Sequence, residues 1–296
     1  MSAADSPTPM SPGGLGRFLE IQNLGLNLPF ALAFFLLASN GRPSPWVLLW
    51  IVVAFIAARN AGHSFNRWAD RHLDAANPRT RNRALVTGQT SAGFALGFCA
   101  LNAAILVIAA YLLNPLAFVL APVALALVLG YSYTKRVTSF TTAFLGLVEA
   151  ITPAAVYIAV TGTLPAVVLL AVVGFLAWGT AFETIHSLGD VEADRAQGLF
   201  SVPVRWGVAP SVRLVPVLHA LALIALLFFG LALRLTLPYF VALAVMAALV
   251  AVTDRSLARN PTHPRVPFER HFALGAVYLA GVIVAVWFPI GSAWVL

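Results

Sequence analysis

Carboxylates are scarce in this sequence, and two short stretches hold nearly half of them. The chain has 11 Asp and Glu in 296 residues, and the clustered ones are Asp70, Asp74, Asp190, Glu192 and Asp194. Each stretch contains a D-x-x-x-D pair, and a spacing of four residues places both side chains on one face of a helix. Asn66 precedes Asp70 by the same spacing and extends that face.

Two such pairs on one side of a protein suit a particular kind of ligand. Four carboxylates can hold a pair of Mg²⁺ ions, which prefer oxygen ligands and commonly keep waters and substrate phosphates in their other positions. Arginines follow both pairs, and guanidinium groups bind phosphate oxygens in bidentate fashion. These residues therefore favour a site for a magnesium-bound diphosphate or polyphosphate. The alternative is that acids and arginines at helix ends pair with each other.

A third polar stretch, "GYSYTKR" at 130–136, lies between the two acidic pairs. Tyr131 and Lys135 are one helical turn apart, and Arg136 follows directly. Taken alone, a Tyr followed by Lys-Arg is typical of the aromatic belt and the basic anchor of a membrane segment. Beside two acidic pairs, it could instead supply a phenol and two cations to a phosphate pocket.

The elements that position these residues are membrane helices. The chain is 60% hydrophobic and 10% charged, with a mean hydropathy of +0.88. Long apolar runs, each able to cross roughly 30 Å of hydrocarbon, predict an all-α polytopic membrane protein, since barrel strands would alternate instead. We predict nine transmembrane helices, near 23–39, 45–64, 92–112, 115–132, 140–160, 164–187, 213–233, 236–253 and 272–291.

The net charge of +7 reflects membrane topology and does not indicate nucleic-acid binding. Most of the 18 Lys and Arg fall in the loops after the second, fourth, sixth and eighth segments, whereas the opposite loops hold only Arg42 and Arg234. By the positive-inside rule the basic loops are cytoplasmic, and both acidic pairs lie among them. The basic loop at 254–270 is expected to contact anionic lipid headgroups. The single Cys99 excludes an intramolecular disulfide.

The chain is expected to form one membrane domain over residues 17–296. Residues 1–16 are rich in Pro, Ser and Gly and have no basic region before a short apolar core. We therefore predict a disordered tail at 1–16 and not a cleaved signal peptide.

Together these motifs resemble the signatures of the UbiA-type intramembrane prenyltransferases. "NRWADRHLDAANPRTRNR" is similar to the first signature of that family, N-x-x-x-D-x-x-x-D followed by a P-R-T loop. "DVEADRAQGLFSVPVRWG", from Asp190 to Gly207, is similar to the second, and Tyr131 and Lys135 match a Y-x-x-x-K element between them. The resemblance covers nearly the whole chain and is greatest to the branch of 4-hydroxybenzoate polyprenyltransferases or their menaquinone-pathway relatives.

The resemblance implies an activity and a set of residues. The activity is Mg²⁺-dependent transfer of a polyprenyl group from a polyprenyl diphosphate to an aromatic hydroxy acid, 4-hydroxybenzoate or a naphthoate, in quinone biosynthesis. The membrane would be a bacterial-type inner membrane, with the active site on the cytoplasmic face. The metal ligands would be Asn66, Asp70, Asp74, Asp190 and Asp194, the four aspartates being catalytic together with Lys135. The diphosphate would be bound by Arg79, Arg83, Tyr131, Lys135 and Arg136.

Departures from the family pattern concern the acceptor. Glu183 stands where relatives often have Asp, and His186 where an aromatic residue is common. Arg59 and His63 share the equivalent face of the second segment. Glu149 lies midway along an apolar segment, where an ionisable group is expensive and is either functional or a neutral carboxyl hydrogen-bonded between helices. We expect all five to line the acceptor pocket, with Arg59 pairing with an aromatic carboxylate.

Two alternatives remain open at this point. In a secondary transporter the acids would bind a coupling ion or relay protons, and Glu149 fits that function better than the loop aspartates do. Transporter sites usually lie near mid-membrane at broken helices, however, whereas four aspartates gather at one face beside several arginines. The second alternative is a prenyltransferase or cyclase of the same fold that uses a non-quinone acceptor.

Overall fold

The computed structural model describes residues 24–261 and 265–288 and confirms an all-α architecture for them. The predicted tail at 1–16 lies outside the described residues. The helices are α1 Leu24–Ala38, α2 Pro45–Ala69, α3 Arg71–Ala76, α4 Ala92–Leu113, α5 Pro115–Thr134, α6 Thr141–Thr161, α7 Val168–Leu188, α8 Val191–Ala196, α9 Val202–Trp206, α10 Val208–Ala232, α11 Leu237–Arg259 and α12 Arg265–Trp287.

The described helices agree approximately with the nine predicted spans. Eight of them are long and apolar enough to cross a membrane, and α1 is a shorter apolar helix. Some boundaries differ, because α2 continues from the predicted end at 64 to Ala69, and α11 continues from 253 to Arg259. Hydropathy marks only the part of a helix inside hydrocarbon, whereas backbone hydrogen bonding continues into the polar layer. Arg67 and Arg255, which the predicted span ends at 64 and 253 leave in loops, are therefore helical, and that part of the prediction was wrong.

Polar caps fix where several membrane helices begin. The Ser91 hydroxyl accepts a hydrogen bond from the backbone N–H of Phe94 at 3.0 Å, and Asn114 Oδ1 accepts one from Ala117 at 2.9 Å. Such caps satisfy N–H groups that the first helical turn leaves unpaired. Asn114 also donates through Nδ2 to the carbonyl of Ile158 at 2.8 Å, so the start of α5 is tied to the end of α6.

Helix α7 lies at the centre of the bundle. In its most apolar membrane-length stretch 72% of the residues are buried, against 11% for α5, which lies at the periphery. Glycines allow α6 and α7 to approach closely: a Cβ at Gly146 would overlap the carbonyl of Leu176, and one at Gly179 would lie 2.9 Å from Glu149 Cβ. This contact sets the position of Glu149 on α6 relative to Glu183 on α7.

Each acidic pair lies where a membrane helix gives way to a short helix. Helix α2 ends at Ala69 and α3 begins at Arg71, so the first pair does not lie in one continuous helix as its spacing suggested. Asp70, at the junction, has ψ of 3°, which lies outside the α-helical range. The helical register survives, because the N–H of Asp70 bonds to the carbonyl of Asn66, and that of Asp74 to Asp70, both at 2.8 Å. Asp190, directly before α8, also has ψ of 3°, and the backbone N–H of Asp194 donates to the carbonyl of Asp190 at 2.8 Å.

Candidate active site

The structure brings the two acidic pairs together at one end of the bundle. All four aspartates line a single pocket of about 110 Å³ between the ends of α2, α5 and α7. Of the residues predicted to bind diphosphate, Arg79, Arg83, Tyr131 and Lys135 also line this pocket. Asn66 lines it too. The two signatures, more than a hundred residues apart in sequence, therefore form one site.

Asp70 is buried and is surrounded by donors. Its Oδ2 pairs with Lys135 Nζ at 2.7 Å and accepts from Asn66 Nδ2 at 3.0 Å, while its Oδ1 pairs with Arg136 Nη2 at 2.9 Å. Arg136 Nη2 also donates to the carbonyl of Ala69 at 2.7 Å, and Arg136 lines neither this pocket nor the larger cavity described below. Lys135 thus faces the pocket, whereas Arg136 holds Asp70 from behind.

The loop after α3 connects the two halves of the site. Arg83 Nη1 pairs with Asp74 Oδ1 at 2.6 Å. Arg79 reaches across to the second half, where Nε donates to Asp190 Oδ1 at 2.9 Å and Nη2 donates to Oδ2. Asn77 Nδ2 adds a hydrogen bond to the same Oδ1 at 3.0 Å. Burial alone would raise the pKa of Asp190, but the hydrogen bonds and charge of Arg79 outweigh burial and hold that pKa below its ordinary value.

Asp194 differs from the other three aspartates. Within the described part of the chain its carboxylate forms no ion pair shorter than 4.0 Å. Burial and the nearby charge of Asp190, which outweighs the opposing charge of Lys135, together raise the pKa of Asp194 to about 6. Asp194 is therefore the aspartate whose negative charge is least compensated by the protein.

The donor chemistry of this pocket suits a magnesium ion. The four carboxylates and the Asn66 amide offer oxygen ligands, which Mg²⁺ prefers. Among the residues that the structure describes, no group of three or more His, Cys, Asp or Glu side chains is already arranged as a metal cluster. The reason is visible in the ion pairs, since three of the aspartates point an oxygen at a Lys or Arg. A metal ion would therefore compete with those cations for the carboxylate oxygens.

A second, larger cavity of about 950 Å³ extends from the small pocket into the apolar part of the bundle. Its wall is mainly aliphatic, with side chains such as Leu106, Leu120 and Ile158. Six residues line both spaces and form the junction between them: Asn66, Arg79, Arg83, Tyr131, Glu183 and His186. The geometry therefore joins a charged pocket to a space suited to a long apolar chain.

The five residues predicted for the acceptor all line the larger cavity: Arg59, His63, Glu149, Glu183 and His186. Glu149 Oε2 accepts a hydrogen bond from Asn27 Nδ2 at 2.7 Å. Glu183 Oε1 accepts one from the Tyr131 hydroxyl at 2.6 Å, and its Oε2 lies 3.3 Å from His186 Nδ1. On α2, His63 Nε2 lies 3.1 Å from Arg67 Nη2.

Two amides that contact the predicted acids were not identified from the sequence. Asn77 binds Asp190, and its place in "NPRT", within the first signature, is a signal that could have found it. Asn27 binds Glu149 from α1, 122 residues away in sequence, and an isolated amide in an apolar segment carries no pattern. Asn27 Oδ1 is buried without a hydrogen-bond partner, so this amide has an acceptor to offer to a ligand in the cavity.

Comparison with known proteins agrees with this geometry. The profile of the UbiA prenyltransferase family matches residues 27–275. The chain is 33% identical over 253 residues to the 4-hydroxybenzoate octaprenyltransferase of Nitrosomonas eutropha, covering 84% of this chain and 87% of that protein. It is 30% identical over 299 residues to the enzyme of the same name from Chromohalobacter salexigens, covering 96% and 99%.

Solved structures show the same fold. A UbiA homolog from Aeropyrum pernix K1 superimposes with a TM-score of 0.82 at 29% identity, covering 89% of this chain and 98% of that one. A UbiA homolog from Archaeoglobus fulgidus, bound to GPP and Mg²⁺, gives a TM-score of 0.72 at 17% identity, covering 93% and 99%. With its apolar helices and its two joined signatures, the chain belongs to the UbiA prenyltransferase family and is an integral membrane enzyme.

Proposed function

We propose that this enzyme transfers a polyprenyl group from a polyprenyl diphosphate to an aromatic hydroxy acid in quinone biosynthesis. The observation that carries the proposal is the junction of the two spaces, where a pocket lined by four aspartates opens into an apolar cavity of about 950 Å³. A diphosphate head and a lipid tail require these two environments side by side. The names of the relatives, 4-hydroxybenzoate octaprenyltransferases, support a hydroxybenzoate as the acceptor.

The residues of the small pocket fit a magnesium cofactor. Asp70, Asp74, Asp190 and Asp194, with Asn66, would hold Mg²⁺. When bound, the metal supplies positive charge that stabilises the departing diphosphate. Binding of Mg²⁺ by the A. fulgidus homolog is consistent with this assignment.

Cationic side chains at the junction would bind the diphosphate itself. Arg79, Arg83 and Lys135 each pair with an aspartate in the structure, so a diphosphate would draw them onto its own oxygens. The electron pair of the breaking C–O bond then leaves with the diphosphate. The aliphatic wall of the larger cavity holds the tail and excludes water, which would otherwise capture the allylic cation as an alcohol.

The acceptor would lie in the larger cavity next to the junction. Arg59 lines that cavity and carries the charge needed to pair with an aromatic carboxylate. An electron-rich ring held there attacks the allylic cation through carbon. The basic loops on the same side as the aspartates support a site at the cytoplasmic face of a bacterial-type inner membrane, with membrane lipid around the helices.

A release assay tests this function. Membranes bearing the protein receive geranyl diphosphate and 4-hydroxybenzoate, and diphosphate release should require both Mg²⁺ and the phenolic acid. Asp190→Asn should abolish release, whereas Glu192→Gln, an exposed carboxylate two residues away that lines neither space, should retain it. Uptake of a solute without diphosphate release would instead indicate a transporter. Mass spectrometry of products from a panel of phenolic and naphthoic acids and longer diphosphates then identifies the ring and the chain length.

A further inference from the structure

Glu183 has a position that no other described carboxylate shares. It lies on α7, one turn before the end of the helix, and it lines both the small pocket and the larger cavity. The four aspartates line only the small pocket, and Glu149 lines only the larger cavity. Within residues 24–261 and 265–288, Glu183 is thus the one carboxylate at the boundary where a prenyl donor and a ring would meet.

The reaction needs a proton acceptor at that boundary. When an aromatic ring carbon forms a bond to the prenyl carbon, that ring carbon still carries its hydrogen, and the ring regains aromaticity only when a base removes the proton. A general base must lie within hydrogen-bond reach of the atom that it deprotonates. Asp70, Asp74 and Asp190 are engaged by Lys and Arg, and Asp194 lines only the small pocket, which leaves Glu183 as the carboxylate at the boundary.

Two neighbours fix the orientation of the Glu183 carboxylate. The Tyr131 hydroxyl donates to Oε1 at 2.6 Å, and His186 Nδ1 lies 3.3 Å from Oε2. A carboxylate has about four lone-pair positions, so each oxygen keeps acceptor capacity after these contacts. The side chain of Glu183 is 12% exposed and that of His186 is 35% exposed, and both residues line the cavity.

We propose, on the basis of the function proposed above, that Glu183 is the general base that removes the ring proton after prenyl transfer. The prenyl C–O bond breaks and its electron pair leaves with the diphosphate. A ring π pair forms the new C–C bond. The ring C–H bond then gives its proton to Glu183, and the electron pair of that bond restores the aromatic ring. Tyr131 and His186 are positioning residues, and His186 lies where it can take the proton onward from Glu183.

An isotope experiment on the full-length enzyme tests this assignment. The acceptor is 4-hydroxybenzoate deuterated at both ring carbons next to the hydroxyl, and saturating rates are measured separately for the labelled and unlabelled compounds. Glu183→Gln should lower kcat by roughly 10²-fold or more. It should also raise the ring isotope effect above that of the wild type, because proton removal becomes the slow step. Glu183→Asp keeps a carboxylate, one methylene further back. It should therefore give a smaller loss of kcat and a smaller rise in the isotope effect than Glu183→Gln.

Glu149→Gln is the matched control, since it makes the same chemical change in the same cavity away from the small pocket. It should leave the isotope effect at the wild-type value even if acceptor binding weakens. A Glu183→Gln enzyme that is slow without a raised isotope effect, or that keeps kcat within a few-fold of the wild type, overturns the proposal. Thermal stabilisation by geranyl diphosphate and Mg²⁺ shows whether Glu183→Gln folds. If it does not fold, Glu183→Asp decides instead, and it must show both a lowered kcat and a raised isotope effect. Absence of diphosphate release from the wild type would instead refute the proposed function itself.

Discussion

Removing the charge of Asp194 should stabilise the metal-free protein while it destroys activity. Burial and the neighbouring Asp190 raise the pKa of Asp194 to about 6, above its value of about 4 in an unfolded chain. Between these two pH values the folded protein binds more protons than the unfolded chain, so stability falls as the pH rises through that window. Above about pH 6 the full cost of the buried charge is present, and Asp194→Asn removes it.

The size of the effect follows from that pKa. A change from about 4 to about 6 corresponds to roughly 3 kcal/mol of differential stability if the carboxyl were fully shielded from solvent. Asp194 is only half-buried, so water and salt screen its charge. We therefore expect Asp194→Asn to raise the free energy of unfolding by about 1 kcal/mol at pH 8.

Thermal unfolding in detergent, with a chelator to remove divalent ions, measures this effect. The Asn variant should melt above the wild type at pH 8, and the difference should close as the pH falls toward 4. Asp190→Asn is the control with the opposite sign, because its pKa is lowered by Arg79 and its ion pair stabilises the protein above the unfolded pKa. Added Mg²⁺ and geranyl diphosphate should raise the melting temperature of the wild type only. An Asp194→Asn protein that melts at or below the wild-type temperature at pH 8 would refute the reasoning.

Three further substitutions test other parts of the site. Arg59→Ala should raise KM for hydroxybenzoate and remove the preference for phenols that bear a carboxylate; unchanged selectivity in a competition assay would contradict its assignment. Asn77→Ala deletes a 3.0 Å hydrogen bond to a pocket carboxylate and should raise KM for the prenyl diphosphate about tenfold, with stability as the control measurement. Gly179→Ala places a Cβ 2.9 Å from Glu149 and should cost about 1–3 kcal/mol in thermal unfolding. Gly97→Ala, with nothing within 4 Å of its Cβ, should be neutral or slightly stabilising.

The helices could be predicted because a membrane imposes one simple requirement on sequence. Each span needs a long apolar run, and the run is visible without knowledge of its neighbours. The number of membrane helices also predicted that both acidic pairs lie at one end of the bundle, since the loops that follow alternate helices lie on the same side of the membrane. The spacing of four also predicted that the aspartates of each pair follow one another by one helical turn. The interruption of the helix at Asp70 was not predictable, because it depends on one backbone angle.

The partners of the site residues could not be predicted from the sequence. Lys135 and Arg136 are adjacent and carry the same charge, yet one faces the pocket and the other binds Asp70 from behind. That choice depends on how the end of α5 meets the end of α2. Glu149 was visible as a costly acid, but its partner Asn27 comes from α1 through packing alone. Sequence spacing shows which residues share a helix face, whereas tertiary contacts decide what that face meets.

The crossed ion pair between Arg79 and Asp190 bears on the order in which ligands enter. A divalent ion that takes the carboxylate leaves a guanidinium uncompensated, and an anion that takes the guanidinium leaves a carboxylate uncompensated. Either ligand alone thus meets a penalty that the other removes. We expect heterotropic cooperativity between magnesium and diphosphate, each increasing the affinity for the other by the same factor.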